Sequence, residues 1–395
     1  MKKNFSSFMV SRPVLLITGI LLIATSLRAP VTGIAPLLTM IHKTFALTTF
    51  ATGTLTTLPL LAFAFASPFC VLLARHYGLE RSLMLGLVLI TSGIFIRSSG
   101  TVSMLFAGSA VIGLGIAIAN VLLPALLKRD FPKNITTLTA VYAFVSGVAA
   151  AVFSGCVVPL ATLPSSNWMR ALELFAILPL LTIAVWLPQL RNHTQPVAET
   201  ASPQTFHTKI WQSSLAWYVT LFLGLNSLIY YTVITWLPNI LTAAGYSLQE
   251  AGSLHGLTQL ATAIPGLVLV PTLHRFKNHK VMAAGTTIIT GIALLGLLCW
   301  PHHATIWTTL FGFGTGASFI MALSFISLRA GTVRQASALS GMAQTIGYTI
   351  AAAAPPLVGA LHDTSGSWSA PVALCITTCG IMAVCGYAAG SSRQL

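Results

Sequence analysis

Apolar residues run in long stretches near residues 14–40, 50–74, 82–98, 102–127, 137–162 and 169–187, and again near 214–241, 250–273, 281–300, 305–328, 337–361 and 370–389. A helix crossing the hydrocarbon core of a bilayer needs roughly 20 such residues. The pattern therefore predicts an all-α membrane protein of twelve transmembrane helices, grouped six and six. Between the groups, Gln189–Gln212 is polar and holds two prolines, the composition of a linker. The expected units are residues 1–188, a linker over 189–212, and residues 213–395. Lys2, Lys3 and Arg12 precede the first apolar run as in a signal peptide, but no small-x-small cleavage site follows and more apolar runs do. We read that run as the first membrane helix.

The two groups repeat each other. TGTLTTLPLLA (52–62) aligns with AGSLHGLTQLA (251–261) at an offset of 199, matching Gly53 to Gly252, Leu55 to Leu254, Leu58 to Leu257 and Leu61 to Leu260. Near an offset of 200, Gly113 and Gly115 fall against Gly314 and Gly316, and Asn167-Trp168 against Ser367-Trp368. A duplicated six-helix unit, its copies related by an axis along the membrane normal, predicts two pseudo-symmetric bundles with a solute cavity between them near the midplane.

Composition changes the picture by exclusion. With 55% hydrophobic and 7% charged residues, a water-soluble surface cannot be built, since soluble domains carry about 25% charge. The net charge of +14 is not the concentrated basic patch of a nucleic-acid binder. With the N-terminus inside, sixteen Lys and Arg fall on the cytoplasmic side against three outside, Lys43, Arg97 and Arg170. The positive-inside rule then places both termini in the cytoplasm. The six cysteines lie in apolar segments, as small hydrophobes do. Neither a disulfide framework, a metal site nor a bound cofactor is expected. No phosphate-binding loop or nucleophile elbow is present, so neither an ATP-driven pump nor an enzyme is expected.

The residue that asks most for an explanation is Arg28, in the middle of the first span, where an arginine costs several kcal/mol. The six acidic residues, Glu80, Asp130, Glu173, Glu199, Glu250 and Asp363, fall in loops or near span ends, leaving no carboxylate at its depth. An unneutralised guanidinium is suited to an anion or to a planar, electron-rich group such as nitro or carboxylate. A structural arginine held by helix carbonyls and hydroxyls is the other reading. Thr25 and Thr32 share its helix face, at i−3 and i+4. Asn226 and Tyr230 stand four apart on the seventh span, His255, Gln259 and Thr262 line one face of the eighth, and Gln344 and Tyr348 pair on the eleventh. These are candidate cavity linings, although polar residues also bind membrane helices together. Asn120 and Tyr142 fit that packing role better. His255 is a candidate for proton coupling, because histidine changes charge near neutral pH.

Over essentially its whole length the chain resembles the major facilitator superfamily, and within it the cyanate permease and 2-nitroimidazole transporter branch. The resemblance is carried by TSLRAPVTGIAPLL, LTTLPLLAFAFASP, NVLLPALLKRDFP, SLHGLTQLATAIPG and ALSGMAQTIGY. It implies a secondary transporter of a bacterial inner membrane, expected as a monomer. Its cargo would be a small planar solute of the 2-nitroimidazole type, moved outward, or a small anion such as cyanate, taken up or exchanged. A membrane sensor that binds without transport is a third reading. One segment departs from the family. Between the second and third spans the usual acidic residue is replaced by Arg75 in ARHYGLERS, and Arg75, Glu80 and Arg81 are candidates for a cytoplasmic gate there.

Overall fold

Side chains in the polar breaks fix where helices begin. Thr48, Thr101, Asn167, Ser213 and Thr332 each accept a hydrogen bond from the backbone N–H three residues on, at 2.9–3.4 Å. Each satisfies a donor that a helix N-terminus otherwise leaves bare. Ser247 and Glu250 form a reciprocal box, the Ser247 N–H donating to the carboxylate at 2.8 Å and the Glu250 N–H to the Ser247 hydroxyl at 3.2 Å, which pins the start of the eighth pass.

The computed structural model describes residues 12–191, 210–272, 279–391 and 394, and no strand occurs among them. The helices are α1 (Arg12–Thr32), α2 (Leu38–Phe45), α3 (Thr49–Tyr77), α4 (Leu79–Arg97), α5 (Val102–Asp130), α6 (Ile135–Ala161), α7 (Trp168–Glu173) and α8 (Ile177–Trp186). They continue as α9 (Ser214–Ala243), α10 (Leu248–Thr272), α11 (His279–Cys299), α12 (Ala304–Arg329), α13 (Val333–Ser365) and α14 (Ser369–Ala389). Helices α1 and α2 form one crossing and α7 and α8 another, each interrupted by a short 3-10 turn, so the passes among the described residues number twelve. Ten are long and apolar enough to cross a membrane on length and composition alone, and α10 and α13 are not among them. Most of the linker, together with Lys2, Lys3, Lys209, Arg275, Lys277 and Arg393, lies outside the described residues.

Burial follows the repeat. One apolar core draws on residues 210–389, and two others are buried among residues 20–186. The groups meet mainly through α3 against α13 and α6 against α10. A helix facing the other bundle need not be apolar all round. Close approaches between the groups gather at the end carrying the turns 46–48 and 366–368. A Cβ on Gly53 would lie 2.7 Å from the Cα of Pro356, and one on Gly256 would lie 2.6 Å from the Ala151 carbonyl.

The contacts also correct the register of the repeat. Gly113 packs on Pro59 and Gly312 on Thr258, while Gly115 faces Gly86 and Gly314 faces Thr290. Equivalent packing pairs Gly113 with Gly312 and Gly115 with Gly314, the same 199-residue offset as Gly53 and Gly252, rather than with Gly314 and Gly316. A run of glycines at every second or third position lets an alignment slip; only the opposing helix fixes it.

Arg97, which the charge count puts on the outer side, is packed among the helices rather than solvated: it is 2% exposed, and its Nη1 donates to the Pro30 carbonyl at 2.6 Å. Because α1 ends at Thr32, that carbonyl lacks its helical acceptor role, and a buried carbonyl must find a donor elsewhere. Arg97 supplies it.

Candidate functional site

Arg28 lies on α1, two residues before Pro30 and one turn before the helix breaks. Its guanidinium reaches out of the first group of helices into the second. Nη2 donates to the Tyr230 hydroxyl and, at 3.3 Å, to Gln259 Oε1, while Nη1 donates to Thr262 Oγ1 at 3.4 Å. The Tyr230 hydroxyl in turn donates to Gln259 Oε1 at 2.8 Å. The guanidinium carbon stands 5.6 Å from the centre of the Tyr230 ring, within cation–π range. Tyr231 and Tyr348 are within electrostatic reach of the same charge, and Phe63 of α3 meets Tyr348 edge to face with centres 5.5 Å apart.

These hydrogen-bond partners are side chains from α9 and α10, all neutral, so the cation joins the bundles without being neutralised. Residues three or four apart on a helix share a face, which is why Tyr230 sits above Asn226 and why Gln259 and Thr262 arrive together. Asn226 is 2% exposed and its Oδ1 has no hydrogen-bond partner, nor has Gln259 Nε2, also buried. A buried polar atom left unpaired costs about 1–3 kcal/mol. The site thus holds an idle donor on Gln259 alongside the guanidinium, and Asn226, one turn before Tyr230 on α9, carries an idle acceptor.

Other candidates stand apart from this cluster. The Thr25 hydroxyl donates to Leu22 O at 2.7 Å and that of Thr32 to Arg28 O at 3.0 Å, so both spend their protons on their own helix. His255 is fully buried, with Nε2 3.0 Å from Ile234 O of α9 and Nδ1 lacking a partner; that bond ties α10 to α9. Gln344 donates to Ser340 Oγ at 2.7 Å, one turn back on α13. Tyr231 was not marked by the sequence pattern, because a tyrosine beside another at i+1 points off the helix face that the pattern follows.

At the other end of the bundle, Glu80 is buried and accepts from Arg129 Nη2 at 2.9 Å, and Arg129 is also held by Asp130 through two 2.7 Å bonds. Arg75 and Arg81 are exposed. The ion pair therefore joins α4 to the end of α5, within one group of helices, and Arg129 is its cation. Glu80→Gln should destabilise the protein by roughly 1–2 kcal/mol, because Arg129 loses one ionic partner and keeps Asp130. A thermal melt of the purified variant checks this, with an unchanged midpoint as the contrary result.

A family model described as Major Facilitator Superfamily matches residues 14–352. The 2-nitroimidazole transporter of Escherichia coli (strain K12) is 51% identical over 383 residues, covering 97% of each chain. The cyanate transport protein CynX of the same organism is 25% identical over 356 residues, 88% of this chain and 90% of its own. Among solved structures, that of a D-xylose-proton symporter superposes with a TM-score of 0.78 at 12% identity, covering 98% of this chain and 100% of the other.

Proposed function

Since the chain belongs to the Major Facilitator Superfamily and is a multi-pass membrane transporter, we propose that it carries a small planar solute of the 2-nitroimidazole type by alternating access, with Arg28 as the anchor. The observation that carries this reading is the un-neutralised guanidinium held between the two groups of helices by Tyr230, Gln259 and Thr262. A nitro group offers two coplanar oxygens to a guanidinium and to the idle Gln259 Nε2. A ring N–H offers its proton to Asn226 Oδ1. The aromatic rings of Tyr230, Tyr231 and Tyr348 supply the flat apolar walls that a heteroaromatic ring requires.

The carrier in this reading consists of units 1–188 and 213–395, rocking about the site, with both termini in the cytoplasm of a bacterial cell. The closed end, where Gly53 meets Pro355 and Pro356, then faces outward. Solute drives the exchange only by binding the two states unequally. The site supports this, because Arg28 bonds to the far bundle and must lose or exchange those bonds as the bundles part. Export is the direction we propose, from the resemblance to the 2-nitroimidazole transporter branch. Uptake or exchange of a small anion is the second reading, supported by the bare positive charge of Arg28 and by the cyanate transport relative.

Flux into vesicles reconstituted with the purified chain tests both readings. Saturable movement of 2-nitroimidazole, not competed by cyanate, is the expected result. Preferred movement of cyanate would replace the first reading with the second, and binding without flux would make the protein a sensor. If transport is proton-coupled through His255, the same flux should follow an imposed pH gradient and lose that dependence in His255→Gln. Indifference of the intact protein to the gradient would leave a uniporter or an exchanger.

A further inference from the structure

A cavity of about 390 Å³ opens at the closed end of the bundle, well away from Arg28. It is lined from both groups of helices, among others by Thr39 and Thr49 on one side and Trp236, Asn239, His362 and Trp368 on the other. Trp236 and Asn239 lie six and nine residues beyond Tyr230 on α9, or roughly 9 and 13 Å along the helix at 1.5 Å per residue. A buried layer separates the cavity from the central site: Thr235 donates to Thr56 across the groups at 3.1 Å, and Trp236 Nε1 donates to Pro355 O at 2.9 Å.

The lining has a definite chemistry. The His362 ring stacks on Trp368 with centres 4.1 Å apart and planes at 26°, and the Trp236 ring lies 5.2 Å from that of Trp368, tilted by 39°. Asn239 spends its Nδ2 on Thr39 Oγ1 at 3.3 Å, while its Oδ1 has no hydrogen-bond partner. No Lys, Arg, Asp or Glu lines the cavity; its titratable lining groups are His42 and His362, the latter with Nδ1 3.6 Å from the Asp363 carboxylate. Its volume is at the lower end of the roughly 300–1,000 Å³ of small-molecule sites.

We infer that this cavity is a second binding site, for a flat, uncharged heteroaromatic molecule whose ring N–H donates to Asn239, and that its occupant holds the bundles together at this end. Aromatic planes extend the row of Trp236, Trp368 and His362 by offset stacking. The lack of a permanent cation in the lining disfavours an anion, which separates this site from the one at Arg28. Because Thr39 and Asn239 come from different bundles, a molecule in contact with both binds the closed arrangement better than the open one, and stabilises it by that difference. The inference stands on the cavity itself and needs no particular cargo at Arg28.

Benzimidazole is a suitable probe, being planar and neutral with one N–H and carrying no nitro or carboxylate group. Calorimetry on the purified full chain should show saturable binding that persists in Arg28→Ala. It should weaken at least tenfold in Trp368→Ala and in Asn239→Leu, and 1-methylbenzimidazole, which lacks the donor, should bind at least tenfold more weakly. Thermal melts of each variant identify one that has failed to fold, in which case the other variant and the methylated probe still decide. In vesicles, benzimidazole should lower the maximal flux of the central solute without raising its half-saturating concentration. Binding lost in Arg28→Ala, binding unchanged in folded Trp368→Ala and Asn239→Leu, or simple competition with the cargo would each overturn the inference. Failure of transport itself would leave the calorimetric result intact, so the two proposals fail separately.

Discussion

Arg28→Ala should lower solute affinity at least 100-fold while leaving a protein that inserts and can be purified. Hydrogen bonds to a charged group contribute about 1.5–3 kcal/mol each, so losing two of them removes about 3 kcal/mol or more, and each 1.4 kcal/mol is a factor of ten. The fold does not depend on the same bonds, because the buried cores lie within residues 20–186 and 210–389, whereas Arg28 bridges between them. Calorimetry with 2-nitroimidazole on the purified variant makes the measurement. Affinity within threefold of the unmodified protein would remove the anchor role. Arg28→Lys separates shape from charge. A lysine keeps the cation but not the planar fork that meets two coplanar oxygens and lies against Tyr230, so it should recover less than a tenth of the lost affinity. Full recovery would favour the small-anion reading, in which attraction alone suffices.

The polar cluster around Arg28 was legible because helical spacing is local information. Tyr230, Gln259 and Thr262 could be named from their periodicity, and the twelve passes from their length, with ends that match the caps at Thr48, Thr101 and Ser213 within a few residues. What spacing could not supply is the partner across the bundle. Glu80 reads as a loop acid beside Arg75 and Arg81, yet its cation is Arg129, forty-nine residues on. Arg97 reads as an outer-face charge because it ends a span, yet it turns inward to the Pro30 carbonyl freed where α1 breaks. The break itself is prefigured by Pro30, Gly33 and Pro36, but not the donor that makes it tolerable. In each case the deciding interaction joins distant segments of the chain, and a one-dimensional pattern records only the group that needs a partner.

Gly53→Val and Gly93→Val should fail in different ways although the two glycines are equally crowded. A Cβ on Gly53 would lie 2.7 Å from Pro356 Cα, and one on Gly93 would lie 2.8 Å from the Ile112 backbone nitrogen. Forcing a branched side chain against backbone costs about 1–3 kcal/mol. Gly93 packs α4 on α5 inside one group of helices, a contact kept in every state of a carrier whose groups move as units. There the cost falls on folding, and the melting temperature drops. Gly53 packs α3 on α13 between the groups, and its clash exists only while that end is shut. The same 1–3 kcal/mol then acts against the closed arrangement alone and shifts its population about 5- to 150-fold. Spin labels on the exposed positions Lys43 and Thr364, one in each group at that end, should move apart in Gly53→Val and stay put in Gly93→Val. Transport should fall steeply in the first with little loss of melting temperature. Equal melting losses with an unchanged label distance in both would mean that the Gly53 contact is a fixed part of the core, and that the bundles do not part there.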